Sequence, residues 1–285
     1  MYIKKHDSGN EYIYAGDVWV RNFTKKKVSP LQITSLFSQS DFRSVIENQQ
    51  LNLNFPKISD EVLQFDKVVI VSDGFKFEEK QSILSNLPKD VCILATNGAL
   101  NKWKLFKKDI DDDKKRSINA YVVNNPFKEC FNYLPPQNSK YYPVCVASLR
   151  TNHEFLKKYL GDVYTYCPTS EAGFGIHAAE QYFIDDYRNP ICACINLAYQ
   201  FGVKKLMLFC CDDSFEKSRE QAIQLPNKLW TYSSLLRSQD IIDANLYWLK
   251  NQENEEIQIV DHSSGADYKY ATYIHEKDIT SFFND

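Results

Sequence analysis

Six strand-length runs of apolar, largely β-branched residues constrain this chain more than any other feature. They are Lys67–Ser72, Val91–Ala95, Tyr121–Val123, Val144–Ala147, Leu206–Cys210 and Ile257–Val260. Runs this short, apolar without alternation, are what parallel strands look like when both faces of their sheet are covered. The segments between them carry helical signals. Glu78 to Asn86 places Ile83 and Leu84 inward, Asn152 to Tyr159 follows the fourth run, and Leu235 to Lys250 precedes the last. The best-defined helix opens at Asn189-Pro190, an N-cap followed by proline at the first helical position, and stops at Gly202. Strand–helix alternation of this kind implies crossover connections and one open sheet. The expected fold over residues 65–285 is therefore α/β, a Rossmann-like open, mostly parallel sheet with helices on both faces.

Residues 1–64 read differently, as a small N-terminal α+β extension that packs on the main domain. Tyr12-Ile13-Tyr14 and Val18-Trp19-Val20 read as short strands around a turn at Gly16-Asp17, and Ser29 to Gln49 reads as helical. The 285 residues suffice for one large α/β domain plus such a module. Charge is nearly balanced, with 34 Lys and Arg against 37 Asp and Glu, so no bulk field favours nucleic acid and none is expected as a partner. No apolar stretch is long enough to span a bilayer, and Met1 to Asp7 has no signal-like apolar core, so a cytoplasmic location is expected. The eight cysteines fit that expectation, because most sit inside apolar runs where a reduced thiol behaves as a small hydrophobe.

The chemistry is expected where the runs end. Ser72-Asp73-Gly74, Thr96-Asn97-Gly98, Asn124-Asn125-Pro126, Cys211-Asp212-Asp213-Ser214 and Asp261-His262-Ser263-Ser264-Gly265 are small, polar or acidic, and each follows an apolar run directly. In an open parallel sheet such ends gather on one edge, where ligands bind. Asp73, Gly74, Asn97, Gly98 and Asn125 are candidate nucleotide contacts. Asn97 follows Gly74 by about 20 residues, the place of a ribose-reading group in such sheets. Asn189, with the free N–H groups of its helix, and the neighbouring Arg188 are candidate anion contacts, as is Arg150. Asp212 and Asp213 are adjacent carboxylates able to hold Mg²⁺ beside phosphates. Asp261 and His262 are the candidate catalytic residues, with His262 the candidate proton carrier, and His177 is a candidate lid residue. Neither Gly-x-Gly-x-x-Gly nor a P-loop motif occurs, which disfavours a dinucleotide or P-loop site.

Taken in order, Ser72-Asp73-Gly74, Thr96-Asn97-Gly98-Ala99, Asn125-Pro126, Arg188-Asn189-Pro190, Gly202 to Leu206, Asp212 and Asp261-His262-Ser263 resemble the MptE-like family. That family groups archaeal 6-hydroxymethylpterin diphosphokinases with motility-associated flagellin glycosyltransferase-like proteins. A class of bacterial sialyltransferases of Rossmann-like fold is more distantly similar. The resemblance covers about residues 65–265. It implies a nucleotide at the strand ends and, with the carboxylates above, Mg²⁺-assisted transfer of a pyrophosphoryl group or a nucleotide-activated sugar to an unknown small-molecule or glycan acceptor. Two departures stand out. The first turn, Ser72 to Phe77, lacks the first glycine, the proline and the serine of the relatives' Gly-Asn-Gly-Pro-Ser type. Trp230 to Arg237 also lacks the histidine that the sialyltransferases use. These departures motivate an alternative, a non-catalytic nucleotide-binding or scaffold protein on the same fold. Homo-oligomerisation stays open.

Overall fold

A computed structural model of the chain describes residues 3–5, 11–15, 18–21, 39–59, 65–74, 76–96, 98–104, 116–134, 142–169, 183–187, 189–212, 232–252, 256–263, 266 and 268–284. Three strands come first, β1 (Ile3–Lys5), β2 (Glu11–Ala15) and β3 (Val18–Arg21), forming an antiparallel sheet in the order β1-β2-β3. Helix α1 (Gln39–Asn52) follows.

The main sheet has nine strands, all parallel. Its strands are β4 (Lys67–Val71), β5 (Cys92–Thr96), β6 (Ala120–Val123), β7 (Val144–Ser148), β8 (Val163–Pro168), β9 (Phe183–Ile184), β10 (Lys205–Phe209), β11 (Gln258–His262) and β12 (Thr272–Tyr273). The spatial order is β12-β11-β10-β4-β5-β6-β7-β8-β9. This is the open Rossmann-like α/β arrangement, parallel throughout where the sequence suggests mostly parallel. From β4 the chain steps outward strand by strand to β9, then returns to the other side of β4 as β10.

Period-two alternation divides the apolar runs between two cores. Val68, Ile70, Leu94, Val122, Leu206 and Leu208 face one way, onto α5 (Pro190–Gln200) and α6 (Tyr232–Lys250). Val69, Val71, Ile93, Tyr121, Met207 and Phe209 face the other way. There they meet short elements: α2 (Phe77–Lys80), α3 (Ala99–Lys102), α4 (His153–Lys158), α7 (Ile279–Asn284) and two 3₁₀ turns, Gln81–Asn86 and Lys128–Tyr133. Residues 78–86, expected as one helix, split into α2 and a 3₁₀ turn that Leu87-Pro88 ends.

Helix α5 is sandwiched between the sheet and α6, and Ile191 to Ala198 are all buried. Its one polar residue in that stretch, Asn196, donates to Asn245 Oδ1 of α6 at 2.8 Å, which fixes the register of the two helices. Asn189 caps α5, Pro190 opens it, and Gly202 ends the turn beyond it at φ 84°, as the sequence indicates. Among the described residues no helix is long and apolar enough to cross a membrane. All eight cysteines are free thiols and buried.

Residues 39–59 are built onto the β7–β8 end of the sheet. The amide of Ile58 donates to Thr165 O at 2.9 Å, and Thr165 N donates to Pro56 O at 2.7 Å, so this segment lines the β8 edge just before β9 does. From α1, the Asn52 amide nitrogen donates to the carbonyls of Leu149 (2.8 Å) and Thr151 (2.6 Å), and that of Asn48 donates to Arg150 O (3.3 Å).

Candidate functional site

Strands β4 and β10 are neighbours in space although the chain runs through five other strands between them. Their carboxyl ends therefore form the topological switch point of the sheet, where open α/β folds place ligands. The two ends are tied together: Ser72 N donates to Phe209 O at 3.1 Å, and Gly74 N to Cys210 O at 3.0 Å. The approach is too close for any side chain at 74, since a Cβ there would lie 1.9 Å from Asp212 Oδ1 and 2.2 Å from the Cys210 carbonyl. One strand further along, a Cβ on Gly98 would lie 2.3 Å from Asp73 Oδ2. Each glycine thus makes room for a carboxylate from the adjacent strand end. Asp73 also pairs with Lys102 of α3, at 3.0 Å.

The backbone is strained along the same rim. The described non-glycine residues with positive φ are Lys76 (58°), Tyr187 (45°) and Cys210 (52°), which follow β4, β9 and β10 respectively. Each such residue costs about 1 kcal/mol or more, and strain of this kind collects at functional sites.

Strand β11 adds a buried carboxylate. Asp261 Oδ1 accepts from Ser263 Oγ (2.7 Å) and Ser263 N (3.1 Å), and Ser263 Oγ in turn accepts from Cys211 N (2.9 Å). Tyr268 OH donates to the Cys211 carbonyl. Burial drives the Asp261 carboxyl up to about 7. The negative charge of Asp212 pushes the same way, while the Ser263 hydrogen bonds and the Lys80 ammonium oppose the shift. Lys80 of α2 also acts electrostatically on Cys210 and His262, so it lies at this end of the sheet. Lys80 and Lys102 bring positive charge to the switch point and were not singled out from sequence. The available signal was position alone, since each sits in the first helical segment after a strand, on the way round from the rim.

The expected end of the last strand needs correction. The apolar run suggests a strand ending at Val260, but β11 continues through His262. Inside a strand adjacent side chains point to opposite faces. Asp261 is registered with Leu208, on the α5 side, and His262 with Phe209, on the other. The His262 ring stacks near-parallel on Phe209 and Tyr273, and its Nδ1 is 2.9 Å from the Ile274 carbonyl. That contact makes Nδ1 the donor, and burial holds the imidazole below its ordinary pKa. His262 fastens β12 to β11 and does not share a constellation with Asp261.

The remaining candidates divide. Asn125 Oδ1 accepts from Phe127 N at 2.8 Å, an Asx turn at the end of β6, and Asn189 Oδ1 accepts from Ile191 N at 2.8 Å as the cap of α5. Asp212 is buried beside Gly74. Asn97, Arg188, Asp213 and His177 lie outside the described residues. Arg150, expected to meet an anion, is instead buried against Asp186: its Nη2 lies 2.8 Å from both carboxylate oxygens. One group escaped the sequence reading altogether. The Thr96 hydroxyl, at the end of β5, is fully buried and has no hydrogen-bond partner.

Asp212 and Asp261 are both buried, and the negative charge of Asp212 adds to the cost of ionising Asp261. Among the described residues no three His, Cys, Asp or Glu side chains gather as a metal-ion ligand set. No family model matches the chain, and no curated protein matches it with significance.

Proposed function

We propose that this chain binds a nucleotide at the β4–β10 switch point and transfers a pyrophosphoryl group or an activated sugar from it, with Mg²⁺ as companion ion. The observation that carries the reading is the pair of close approaches, Gly74 to Asp212 and Gly98 to Asp73, which concentrates carboxylates, lysines and bare backbone at one crevice. Lys80 and Lys102 supply the charge that phosphates need. Asp261, which ionises near neutrality, is the proton carrier in this reading, in place of His262. Asp212, with Asp213, is the group that would meet Mg²⁺, and its contribution would be to neutralise phosphate charge. Among the described residues the carboxylates stop short of a metal-ligand set. Isothermal titration with ATP, GTP, CMP and CDP, each with and without Mg²⁺, tests the proposal. Saturable binding of one of them supports it, and no heat from any of the four removes it.

A second reading, nucleotide binding without transfer, is favoured by one specific observation. The two acid–base candidates stand on opposite faces of the sheet, and His262 is committed to Ile274. Binding without turnover in the presence of candidate acceptors, unchanged in Asp261→Asn, would select this reading over the first.

A further inference from the structure

A second polar cluster lies at the other flank of the rim, behind the surface, and nothing in the proposed transfer uses it. Arg150 and Asp186 are both fully buried, with side-chain exposures of 1% and 0%. Asp186 also accepts from Tyr166 OH at 2.9 Å and from Asn124 Nδ2 at 3.3 Å, while Arg150 Nε donates to the Asn124 carbonyl at 3.2 Å. The network thus gathers the ends of β6, β7, β8 and β9. Burying a salt bridge contributes little net stability, because desolvation consumes most of the Coulombic gain, and an apolar replacement is often as stable. Such a pair persists where it selects one geometry. The geometry in question is next door: Asn189 N donates to the Asp186 carbonyl at 2.7 Å, and between them Tyr187 is held at φ 45°. A tyrosine stays in that conformation only where its surroundings over-determine it. The Arg150 end is fixed in turn, since α1 holds the carbonyls of residues 149, 150 and 151 through Asn48 and Asn52.

We infer that the Arg150–Asp186 pair is a positioning device that sets the turn into α5, and with it the helix N-terminus at the rim. Arg150 and Asp186 are positioning residues, acting through Asn189 and the first turn of α5. The consequence for ligand binding rests on the nucleotide reading above; the consequence for α5 does not.

The experiment is amide hydrogen exchange on the full chain, comparing wild type with Arg150→Met/Asp186→Asn. This double variant removes both charges but keeps an acceptor for Tyr166 and Asn124. The informative amides are Asn189 and Ala193, which bond the Asp186 and Asn189 carbonyls, and Ile191, which bonds the Asn189 side chain; Phe201, at the far end of α5, is the internal control. The expected result is exchange about tenfold faster at the three N-terminal amides with Phe201 unchanged, and weaker binding of whichever nucleotide wild type binds. Unchanged exchange at Asn189, Ile191 and Ala193 in a folded variant overturns the inference. If the double variant fails to fold, Arg150→Lys keeps the charge but loses the planar fork, and the same selective acceleration is required of it. Should wild type bind no nucleotide, the functional reading falls while the exchange data still decide this one.

Discussion

The two flanks of one sheet edge treat buried polar groups in opposite ways. On the β6–β9 flank, Asp186 has Arg150, Tyr166 and Asn124 around it and its charge is matched. At the β4–β10–β11 switch point two buried carboxylates stand within electrostatic reach of each other, and the Thr96 hydroxyl at the end of neighbouring β5 has no partner. Local consistency marks scaffold; local conflict that the fold tolerates marks a site. Each flank can be tested by substitutions whose effects should differ in sign.

The largest effect is expected on the satisfied flank. Arg150→Ala leaves the Asp186 charge buried and unmatched, which should cost about 3–5 kcal/mol. Urea unfolding monitored by far-ultraviolet circular dichroism measures it, and a loss below about 1 kcal/mol would mean the pair behaves like a surface bridge despite its burial.

On the conflicted flank the sign should reverse. The Asp261 carboxyl is raised from 3.8 to about 7 in the folded protein. Between those values the folded chain holds a proton that the unfolded chain has released, so stability is full below about pH 4 and falls as pH rises toward 7. The total loss is at most on the order of 4 kcal/mol. Asp261→Asn removes the titration and keeps an oxygen for Ser263. It should therefore gain on wild type as pH rises from 4 to 7 and hold that gain above. His262, whose depressed pKa works the other way on the acid side, is common to both proteins and drops out of the difference. A pH-independent difference would show that Asp261 ionises normally.

A smaller effect is expected at Gly74. Alanine there must displace Asp212 or the Cys210 carbonyl, both within 2.2 Å of the new Cβ. Overpacking of this kind costs about 1–3 kcal/mol, and nucleotide affinity should fall with it. An alanine variant as stable as wild type, with equal affinity, would show that the crevice can widen without consequence.

How much of this was legible in the sequence follows from what each element depends on. Strands β4, β5, β6, β7 and β10 announce themselves because both their faces are covered and their inner residues are apolar, and β11 does so more weakly, its run broken by Gln258. Strand β8 went unmarked: Val163-Tyr-Thr-Tyr-Cys-Pro168 mixes threonine and tyrosine, and its signal is β-branching and aromatic content, not hydrophobicity. Strands β9 and β12 have two residues each and no period to read. The caps of α5 were legible since Asn189, Pro190 and Gly202 act locally. The Arg150–Asp186 pair was not, because 36 residues separate the partners and only sheet order brings them together. The convergence of Asp73, Gly74, Gly98, Asp212 and Asp261 was legible as a consequence of parallel topology. The facing of His262 was not legible, because two further residues of strand put Asp261 and His262 on opposite faces.

The smallest expected effect separates a binding group from a packing defect. Among the described residues two buried hydroxyls lack partners, Thr96 Oγ1 at the end of β5, and Tyr121 OH in the opposite core, where its ring stacks on Tyr159. A buried hydroxyl without a partner costs about 1–3 kcal/mol, so Thr96→Val and Tyr121→Phe, both nearly isosteric, should each stabilise the free protein by about 1 kcal/mol in thermal denaturation. They should differ in ligand binding. Thr96 ends β5, the strand beside β4, and on the nucleotide reading its loss should weaken binding by about tenfold, the value of one hydrogen bond to a ligand; Tyr121→Phe should leave binding as it is. Equal affinities in the two variants would make Thr96 a defect like Tyr121, and the contrast between the flanks would then rest on the carboxylates alone.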